Sequence, residues 1–258
     1  MSIFVFDIET VPDVESGRRL LGLESEPDEV VLSAMESQTK EATGGTFVKH
    51  HLQKIVAISA LLRVDDKVKV WSLGNVDAAE AELIQRFYAG IEKHKPTLVS
   101  WNGSGFDLPV LHYRALLHGV SAGSYWDMGE DDSSFKYNNY LNRYHTRHLD
   151  LMDILAAYQA KAYARLDDIA KMLGFPGKMG IDGSEVLNYF MSGDRKTIRD
   201  YCETDVLNTY LVFLRFQLMR GHLSPAQYDN EIILTKTMLH DSEEAHLQAF
   251  LDAWLEKE

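Results

Sequence analysis

The chain has 258 residues, of which 45% are hydrophobic and 25% are charged, values typical of a soluble globular protein with one sizeable core. Its single cysteine, Cys202, excludes an internal disulfide and a structural zinc site built from several thiolates. The N-terminus has no basic segment before its first apolar run, and no apolar run approaches the ~18 residues that a membrane span requires. We therefore expect a cytoplasmic protein that does not enter a membrane.

The net charge of −13 argues against a nucleic-acid partner when it is taken as a single number. The acids are unevenly distributed, however, because residues 11–36 and residues 231–258 each carry seven acids and two bases. The rest of the chain has a net charge of only −3, and four of its acids are candidate metal ligands. An acidic periphery is therefore compatible with a cleft that binds phosphates.

The first half of the chain predicts three strands and a connecting insertion. Residues 3–8 form an apolar run that ends in carboxylates, which suits a central strand covered on both faces. Residues 11–50 are polar and acidic, with one predicted helix at about 30–40, and we interpret them as an insertion. Residues 54–63 and 67–73 then predict a β-hairpin.

The second half predicts two further strands and several helices. Asp77 and Glu80 resemble a capping box for a helix that ends near residue 93. Strands are predicted at residues 97–101 and 147–151, and a glycine-rich turn and a helix follow the first of them. Further helices are predicted at about 153–163, 166–173, 194–220 and 242–257. This order predicts an α/β fold with a mixed five-stranded sheet flanked by helices, which is the ribonuclease H-like topology.

Carboxylates that could bind a metal occur in the first predicted strand and directly after the glycine-rich turn that follows residues 97–101. Asp7 and Glu9 lie at positions i and i+2 of the first strand, so their side chains point to the same face. Asp107 follows a turn in which Gly103 and Gly105 allow a ligand to approach the backbone closely. The alternative for Asp107 is an N-cap that opens the next helix.

A third segment lies late in the chain. Tyr201 and Asp205 share one face of a predicted helix, and the other residues of that face are mostly apolar. A buried aspartate is unfavourable unless it binds a metal or pairs with a cation, so Asp205 is either a metal ligand or part of a salt bridge. Cys202 is expected to point into the core as a small hydrophobic residue.

The three segments together read D-x-E, N-x-x-x-F-D and Y-x-x-x-D, and this order resembles the DEDD exonuclease superfamily. Tyr201 is typical of the DEDDy branch, because the other branch has a histidine where this chain has Asp200. Segments similar to the predicted exonucleases related to the proofreading domain of family-B DNA polymerases are W-N-G-S-G-F-D-L-P-V-L, R-H-L-D-L-M-D and L-G-F-P-G-K-M-G-I-D-G-S-E-V. The resemblance covers about residues 3–9 and 54–220.

The resemblance implies a 3′→5′ exonuclease that hydrolyses phosphodiester bonds from the 3′ end of a single-stranded nucleic acid and releases nucleoside monophosphates. It implies two Mg²⁺ or Mn²⁺ ions in one site, which suits a set of oxygen donors and a two-metal reaction. The implied metal ligands are Asp7, Glu9, Asp107 and Asp205. Tyr201 would be a further catalytic residue, which orients the attacking water.

The implied substrate contacts are less specific. Asn102 and Phe106 would contact the terminal nucleotide, and Thr10 follows the first motif directly. Lys178 lies in a glycine-rich loop, where it either meets a phosphate or is an exposed loop lysine. DNA is the favoured substrate, and the alternatives are an RNA 3′-end exonuclease or a catalytically weak nucleic-acid-binding module. A protein partner in DNA repair or replication is also expected.

The resemblance divides the chain into an exonuclease domain at 1–222, with the acidic insertion at about 11–50, and a C-terminal helical extension at 223–258 packed on the same domain. One further hypothesis goes beyond the motifs. Residues 135–148 contain no acid and interleave aromatic with basic side chains, which is typical of a track for a single strand. Tyr140 and Arg143 are its predicted contacts, and the alternative is a surface hairpin packed on the core.

Overall fold

The computed structural model describes residues 2–180 and 182–257, and its centre is a five-stranded sheet in the order β3-β2-β1-β4-β5. The strands are β1 (Ile3–Pro12), β2 (Gln53–Val64), β3 (Lys67–Ser72), β4 (Thr97–Ser100) and β5 (His148–Asp150). β1, β2 and β3 form an antiparallel meander, whereas β4 pairs in parallel with both β1 and β5. The predicted ribonuclease H-like α/β fold is therefore confirmed.

Helices cover both faces of the sheet. They are α1 (Val14–Leu21), α2 (Asp28–Thr43), α3 (Glu80–His94), α4 (Asp107–His118), α5 (Gly123–Trp126), α6 (Leu151–Leu155), α7 (Leu166–Met172), α8 (Val186–Met191), α9 (Arg195–Met219), α10 (Pro225–His240) and α11 (Ala245–Leu255). Within the described residues, none of these helices combines the length and the apolar character that crossing a membrane requires.

The alternation of side chains along β1 decides which residues face the site. Phe4 and Phe6 pack in the cluster formed with α3 and α4, and Val5 packs in the cluster formed with α9. Because successive side chains of a strand point to opposite faces, Asp7 and Glu9 continue the face of Val5. The first acidic motif therefore faces α9, which carries the last one.

α9 is buried on more than one side because it lies between the sheet and the C-terminal helices. Tyr210 and Leu211 are fully buried in the cluster that includes Val5, and Phe250 of α11 and Leu239 of α10 belong to the same cluster. The C-terminal helices thus cover the outer side of α9. This double cover holds the helix that carries Tyr201 firmly against β1.

One predicted helix is too long, and helices α1, α5, α8 and α10 have no predicted counterpart. The helix predicted at 153–163 ends at Leu155, because Ala157 and Tyr158 adopt positive φ angles of 50° and 63° that a helix does not tolerate. Helix α10 was not predicted, although Ser224 and Gln227 form a capping box with Pro225 at the first helical position. This start signal is present in the sequence.

The predicted capping box at Asp77 is wrong. The helix begins at Glu80 after Ala79, whose side chain makes no capping hydrogen bond. Glu80 is instead buried and accepts two hydrogen bonds from the Arg114 guanidinium, at 2.7 and 2.6 Å. A long-range ion pair has therefore replaced the local cap.

The insertion is displaced by two residues from its predicted bounds, because β1 continues to Pro12 and β2 begins at Gln53. Its helices α1 and α2 enclose a small apolar cluster that includes Val31 and Met35. It is joined to the rest of the protein by an ion pair between Asp13 and Arg114 of α4, both of which are buried. The acidic segment is therefore packed against the helix that begins at Asp107.

Candidate active site

Four carboxylates from three parts of the chain meet beside β1. The side chains of Asp7 and Glu9 come from β1 itself, and their ligand atoms lie with the Cys202 sulfur within 4.8 Å of one another. Asp107 comes from the start of α4 and Asp205 comes from α9, and the negative charges of both raise the pKa of Asp7. The structure thus brings all four predicted metal ligands into one electrostatically coupled group.

Asp107 lies where β1 extends beyond the end of its neighbour β4. β4 pairs with β1 only from Ile3 to Val5, so the following residues of β1 extend beyond the end of β4. The backbone N–H of Ile8 donates to Asp107 Oδ1 at 3.1 Å. Asp107 is the first residue of α4 and is 3% exposed, while the N-cap is Phe106. The alternative that Asp107 is only an N-cap is therefore not what the structure shows.

Helix α9 contributes three neighbouring groups. The Tyr201 hydroxyl interacts with the Asp205 carboxylate one helical turn later. The Cys202 thiol donates to Asp7 Oδ2 at 3.5 Å, so this buried cysteine borders the acidic cluster as well as the core. Sequence reasoning predicted the burial of Cys202 but missed its contact with Asp7, because no pattern in the sequence indicates that contact.

The electrostatics of the cluster favour uptake of positive charge. Burial, followed by the charges of Asp107, Glu9 and Asp205, raises the pKa of Asp7 well above its ordinary value. Burial and the charge of Asp205 do the same for Glu9. Burial also raises the pKa of Asp107 to about 7 and that of Asp205 to about 6.

Lys178 partly offsets this repulsion. Its charge lowers the pKa of both Glu9 and Asp205, and its Nζ lies 5.5 Å from the centre of the Tyr201 ring. The same ammonium also lies 3.1 Å from Asp182, so one cation is shared among several acids. A set of buried oxygen donors with this excess of negative charge fits a divalent cation such as Mg²⁺ or Mn²⁺.

The turn between β4 and α4 is held by a buried carboxylate. Asp150 at the end of β5 accepts hydrogen bonds from the N–H groups of Asn102 and Ser104, each at 2.9 Å. Asn102 has a φ of 65°, and a Cβ on Gly105 would lie 2.4 Å from the Asn102 side-chain oxygen. Only glycine therefore fits at position 105 without a shift, and the backbone of the turn is fixed next to Asp107.

Phe106 lies against the insertion. Its ring centre is 5.5 Å from that of Phe47 and 5.6 Å from that of His50, and His50 Nε2 lies 2.9 Å from the carbonyl oxygen of Gly105. Phe47 is 67% exposed. The insertion therefore borders the predicted nucleotide contacts, which sequence reasoning missed because the insertion was treated as peripheral.

The other predicted substrate contacts lie in different surroundings. The Thr10 hydroxyl donates to the Gln53 side chain at 2.9 Å, directly after the strand pairing shifts between Glu9 and Thr10. Arg143 donates to both carboxylate oxygens of Asp153, at 2.7 and 2.6 Å. Contact of Thr10, Arg143, Lys178, Asn102 or Phe106 with substrate stays a prediction.

Tyr140, the predicted aromatic contact for a strand, packs in the core, as in the alternative of a hairpin packed on the core. Tyr140 is 3% exposed, its hydroxyl donates to the Pro96 carbonyl at 2.7 Å, and its ring is stacked on Tyr125. Arg147 of the same segment packs 4.0 Å above the buried ring of Phe135. Part of the alternation of aromatic and basic residues is therefore used inside the fold, while Tyr137 and Tyr144 of the same segment are exposed to solvent.

Comparison with known proteins gives the same family from an independent direction. Residues 45–254 match the family described as a predicted 3′–5′ exonuclease related to the exonuclease domain of PolB. A DNA polymerase of Archaeoglobus fulgidus is 25% identical over 173 residues, which is 66% of this chain and 21% of that protein. The catalytic subunit of DNA polymerase epsilon from Emericella nidulans is 25% identical over 142 residues, 53% of this chain and 6% of that protein. The chain thus spans about a fifth or less of the length of these relatives.

Solved structures similar to this chain include two nucleic-acid enzymes. The family B DNA polymerase of Pyrobaculum calidifontis aligns over 93% of this chain and 28% of its own, with a TM-score of 0.49 and 17% identity. The zinc-bound ExoI–ssDNA complex of E. coli aligns over 93% of this chain and 44% of its own, with a TM-score of 0.39 and 12% identity. On the match over residues 45–254, the chain belongs to the family of predicted 3′–5′ exonucleases related to the exonuclease domain of PolB, which are hydrolases.

Proposed function

We propose that the chain removes nucleotides one at a time from the 3′ end of a single-stranded nucleic acid, with DNA as the preferred substrate. The observation that carries this proposal is the convergence of four carboxylates from three separate parts of the chain, of which Glu9 and Asp107 are buried and Asp7 and Asp205 are half-buried. Uncompensated acids of this kind are unfavourable in a folded protein unless they bind cations. The family assignment supports the direction of cleavage.

The reaction adds one water across the terminal phosphodiester. The bond between phosphorus and the 3′ oxygen breaks, the shortened strand regains a 3′-hydroxyl, and a nucleoside 5′-monophosphate leaves. Two Mg²⁺ or Mn²⁺ ions held by the four carboxylates would activate the water and stabilise the departing oxygen. The remaining contributions come from side chains that hold the strand and the water.

Tyr201 is suited to hold the attacking water. Burial and then the charges of Asp205, Glu9 and Asp7 raise the pKa of Tyr201, so its hydroxyl stays protonated and can act as a hydrogen-bond donor or acceptor. Lys178 lies beside this ring and can meet a phosphate oxygen. Asn102 and Phe106 lie on the turn that leads to Asp107 and would hold the terminal nucleotide.

The test is digestion of matched 5′-labelled DNA and RNA strands with Mg²⁺ or Mn²⁺. We expect a ladder of progressively shorter labelled products, faster for DNA, with no product in EDTA. Immediate release of a labelled mononucleotide would show the opposite polarity, and cleavage of a circular single strand would show an endonuclease. Asp107→Asn is expected to abolish the ladder, whereas Asp252→Asn, an exposed acid on α11, serves as the matched control.

A further inference from the structure

A cavity of about 560 Å³ opens on the side of the Asn102–Gly105 turn that faces β5 and α6. It is lined by Asn102, Ser104 and Gly105 of that turn and by Leu108 and Pro109 of α4. These residues directly precede and follow Asp107 in the chain. The cavity therefore borders the acidic cluster without containing any of its four carboxylates, and its volume lies within the ~300–1,000 Å³ usual for ligand pockets.

Aromatic rings form much of the wall of this cavity. Trp126 is 51% exposed although it is one of the largest apolar side chains, and its ring centre lies 4.8 Å from that of His112. Other aromatic lining residues are Tyr125, Tyr140 and Tyr163. Exposed rings beside a nucleic-acid site are the surfaces on which bases stack, because every base has a flat π face.

One polar atom of the wall lacks a partner. His112 Nε2 is buried and has no hydrogen-bond partner within the described part of the chain. Burial lowers the pKa of His112 to about 4, so at neutral pH the ring is uncharged and offers one N–H donor and one acceptor nitrogen. His112 is one of the residues that line the cavity, so a ligand there would lie against this ring.

The charges of the wall disfavour a phosphate in the cavity. The lining includes two carboxylates, Asp150 and Asp153, and one arginine, Arg143, which already pairs with Asp153 through two hydrogen bonds. The Tyr163 hydroxyl also donates to Asp153, at 2.9 Å. The groups that could bind an anion are therefore engaged, and the site is suited to a flat, uncharged ligand with hydrogen-bonding edges.

We propose that this cavity is a nucleobase subsite, which takes one base close to the 3′ end of the substrate strand, stacks it on Trp126 and contacts its edge through His112. The inference rests on the proposed function, because the substrate strand is what brings a base to the turn that leads to Asp107. It assigns stacking near the cleavage point to Trp126 of α5, while the enclosed Tyr140 ring contributes to the wall of the cavity.

The experiment measures binding without hydrolysis. Single-stranded DNA is titrated in EDTA while tryptophan fluorescence is recorded, first with an intact strand and then with strands that lack one base at successive positions from the 3′ end. We expect the intact strand to change the fluorescence of the wild-type protein, and we expect this change to be lost in Trp126→Phe. Removal of the base at one position near the 3′ end should weaken binding about 5- to 100-fold, the scale of one stacked base.

Variants separate stacking from general packing. Trp126→Ala should weaken binding of the intact strand by the same factor. Removal of the base at that position should then weaken binding to this variant no further. The matched control is Tyr113→Ala, at an aromatic residue that is 50% exposed and is not among those that line the cavity. His112→Phe keeps an aromatic ring at this position but removes the ring nitrogens. This variant should therefore no longer distinguish a natural base from an apolar base of the same shape.

The outcomes separate this inference from the proposed function. If the protein degrades strands but Trp126→Ala binds and cleaves like the wild type, the subsite is overturned while the exonuclease proposal stands. A fluorescence change that persists in Trp126→Phe, or equal weakening by Tyr113→Ala, also overturns the subsite. If strands bind through Trp126 but are never cleaved, the exonuclease proposal fails and the subsite stands.

Discussion

Two groups of acids in this protein, one buried and one partly buried, have opposite electrostatic environments. In the first, Arg114 pairs with Glu80 at 2.6 Å and with Asp13, and His118 Nε2 lies 2.7 Å from Glu80. We call Asp13, Glu80, Arg114 and His118 the arginine cluster. In the second group, the four carboxylates of the candidate active site are close enough to raise the pKa of one another, and Lys178 is shared with Asp182.

The pKa values of the two groups show the difference. Burial favours the neutral form of Asp13, but hydrogen bonds from Ser16 and Arg114 outweigh it and hold the pKa of Asp13 below its ordinary value. The acids of the candidate active site have raised pKa values instead. The fold therefore satisfies buried acids with its own arginine where they join the insertion to α4, and compensates them only partly, through Lys178, where the proposed cation would bind.

The largest effect that tests this comparison is expected from Asp7→Asn. Loss of a ligand should lower the rate of strand degradation by about 10³-fold or more, the upper end for removal of one electrostatic catalytic group. The melting temperature of the metal-free protein should not fall, because the substitution removes like-charge repulsion. Initial rates with Mg²⁺ measure the loss of activity. Thermal melts in EDTA measure the melting temperature of the metal-free protein. A lower melting temperature would mean that Asp7 stabilises the fold and that the two clusters are alike.

Arg114→Met, in contrast to Asp7→Asn, is expected to lower the stability of the metal-free protein. Removal of the only arginine of the arginine cluster leaves Asp13 and Glu80 buried without it, which should reduce the free energy of unfolding by about 3–5 kcal/mol. Mg²⁺ should not restore this loss, because these acids are not at the cation site. Urea denaturation with and without Mg²⁺ measures it. Combining Arg114→Met with Asp13→Asn and Glu80→Gln should recover part of the loss, and no recovery would show that the arginine acts through packing alone.

A smaller effect on rate, and no effect on cation binding, is expected from Tyr201→Phe. In the proposed mechanism the hydroxyl positions water and binds no metal, so turnover should fall about 10- to 10³-fold. The rise in melting temperature on addition of Mg²⁺ should stay as in the wild type, whereas Asp205→Asn should lose both activity and that rise. Wild-type turnover in Tyr201→Phe would make the tyrosine a core residue of α9 only.

The candidate active site was more predictable from the sequence than the arginine cluster, for a physical reason. Asp7 and Glu9 end a continuous apolar run, and Tyr201 and Asp205 share one helix turn, so each motif is local. The arginine cluster joins Arg114 to residues 34 and 101 positions away, and no local pattern encodes such pairs. Glu80 was accordingly misread as part of a cap.

The amino-acid composition of a segment does not show whether its side chains make contacts inside the fold or are exposed to solvent. Residues 135–148 have the composition of a nucleic-acid track, yet the guanidinium of Arg147 packs on Phe135 and Tyr140 is enclosed. The same residue types form cation–π contacts inside a fold and stacking surfaces outside it. The contact between Phe47 and Phe106 was likewise unpredictable, because it depends on how the insertion folds back over the turn.

The smallest expected effect is a pH-dependent response to Mg²⁺. Raised pKa values, about 7 for Asp107 and about 6 for Asp205, mean that the folded metal-free protein holds protons more tightly than the unfolded chain. The contribution of these groups to stability is therefore fully present below about pH 4 and is lost as the pH rises through about 6 to 7. Asp13 has a lowered pKa, so its contribution is present above its ordinary pKa and lost as the pH falls below it.

Mg²⁺ competes with protons for the site, so its stabilisation should grow with pH over the range in which the proton-linked stability is lost. At a concentration about 100-fold above the dissociation constant it should contribute about 2.7 kcal/mol, or about 5–10 °C in melting temperature. Thermal melts at about pH 5 and about pH 8, with and without Mg²⁺, measure this in the wild type, Asp7→Asn and Asp252→Asn. We expect a large rise only at the higher pH, nearly absent in Asp7→Asn and unchanged in Asp252→Asn. A rise of equal size at both pH values would mean that the cation binds elsewhere, since these carboxylates must lose their protons before they can hold it.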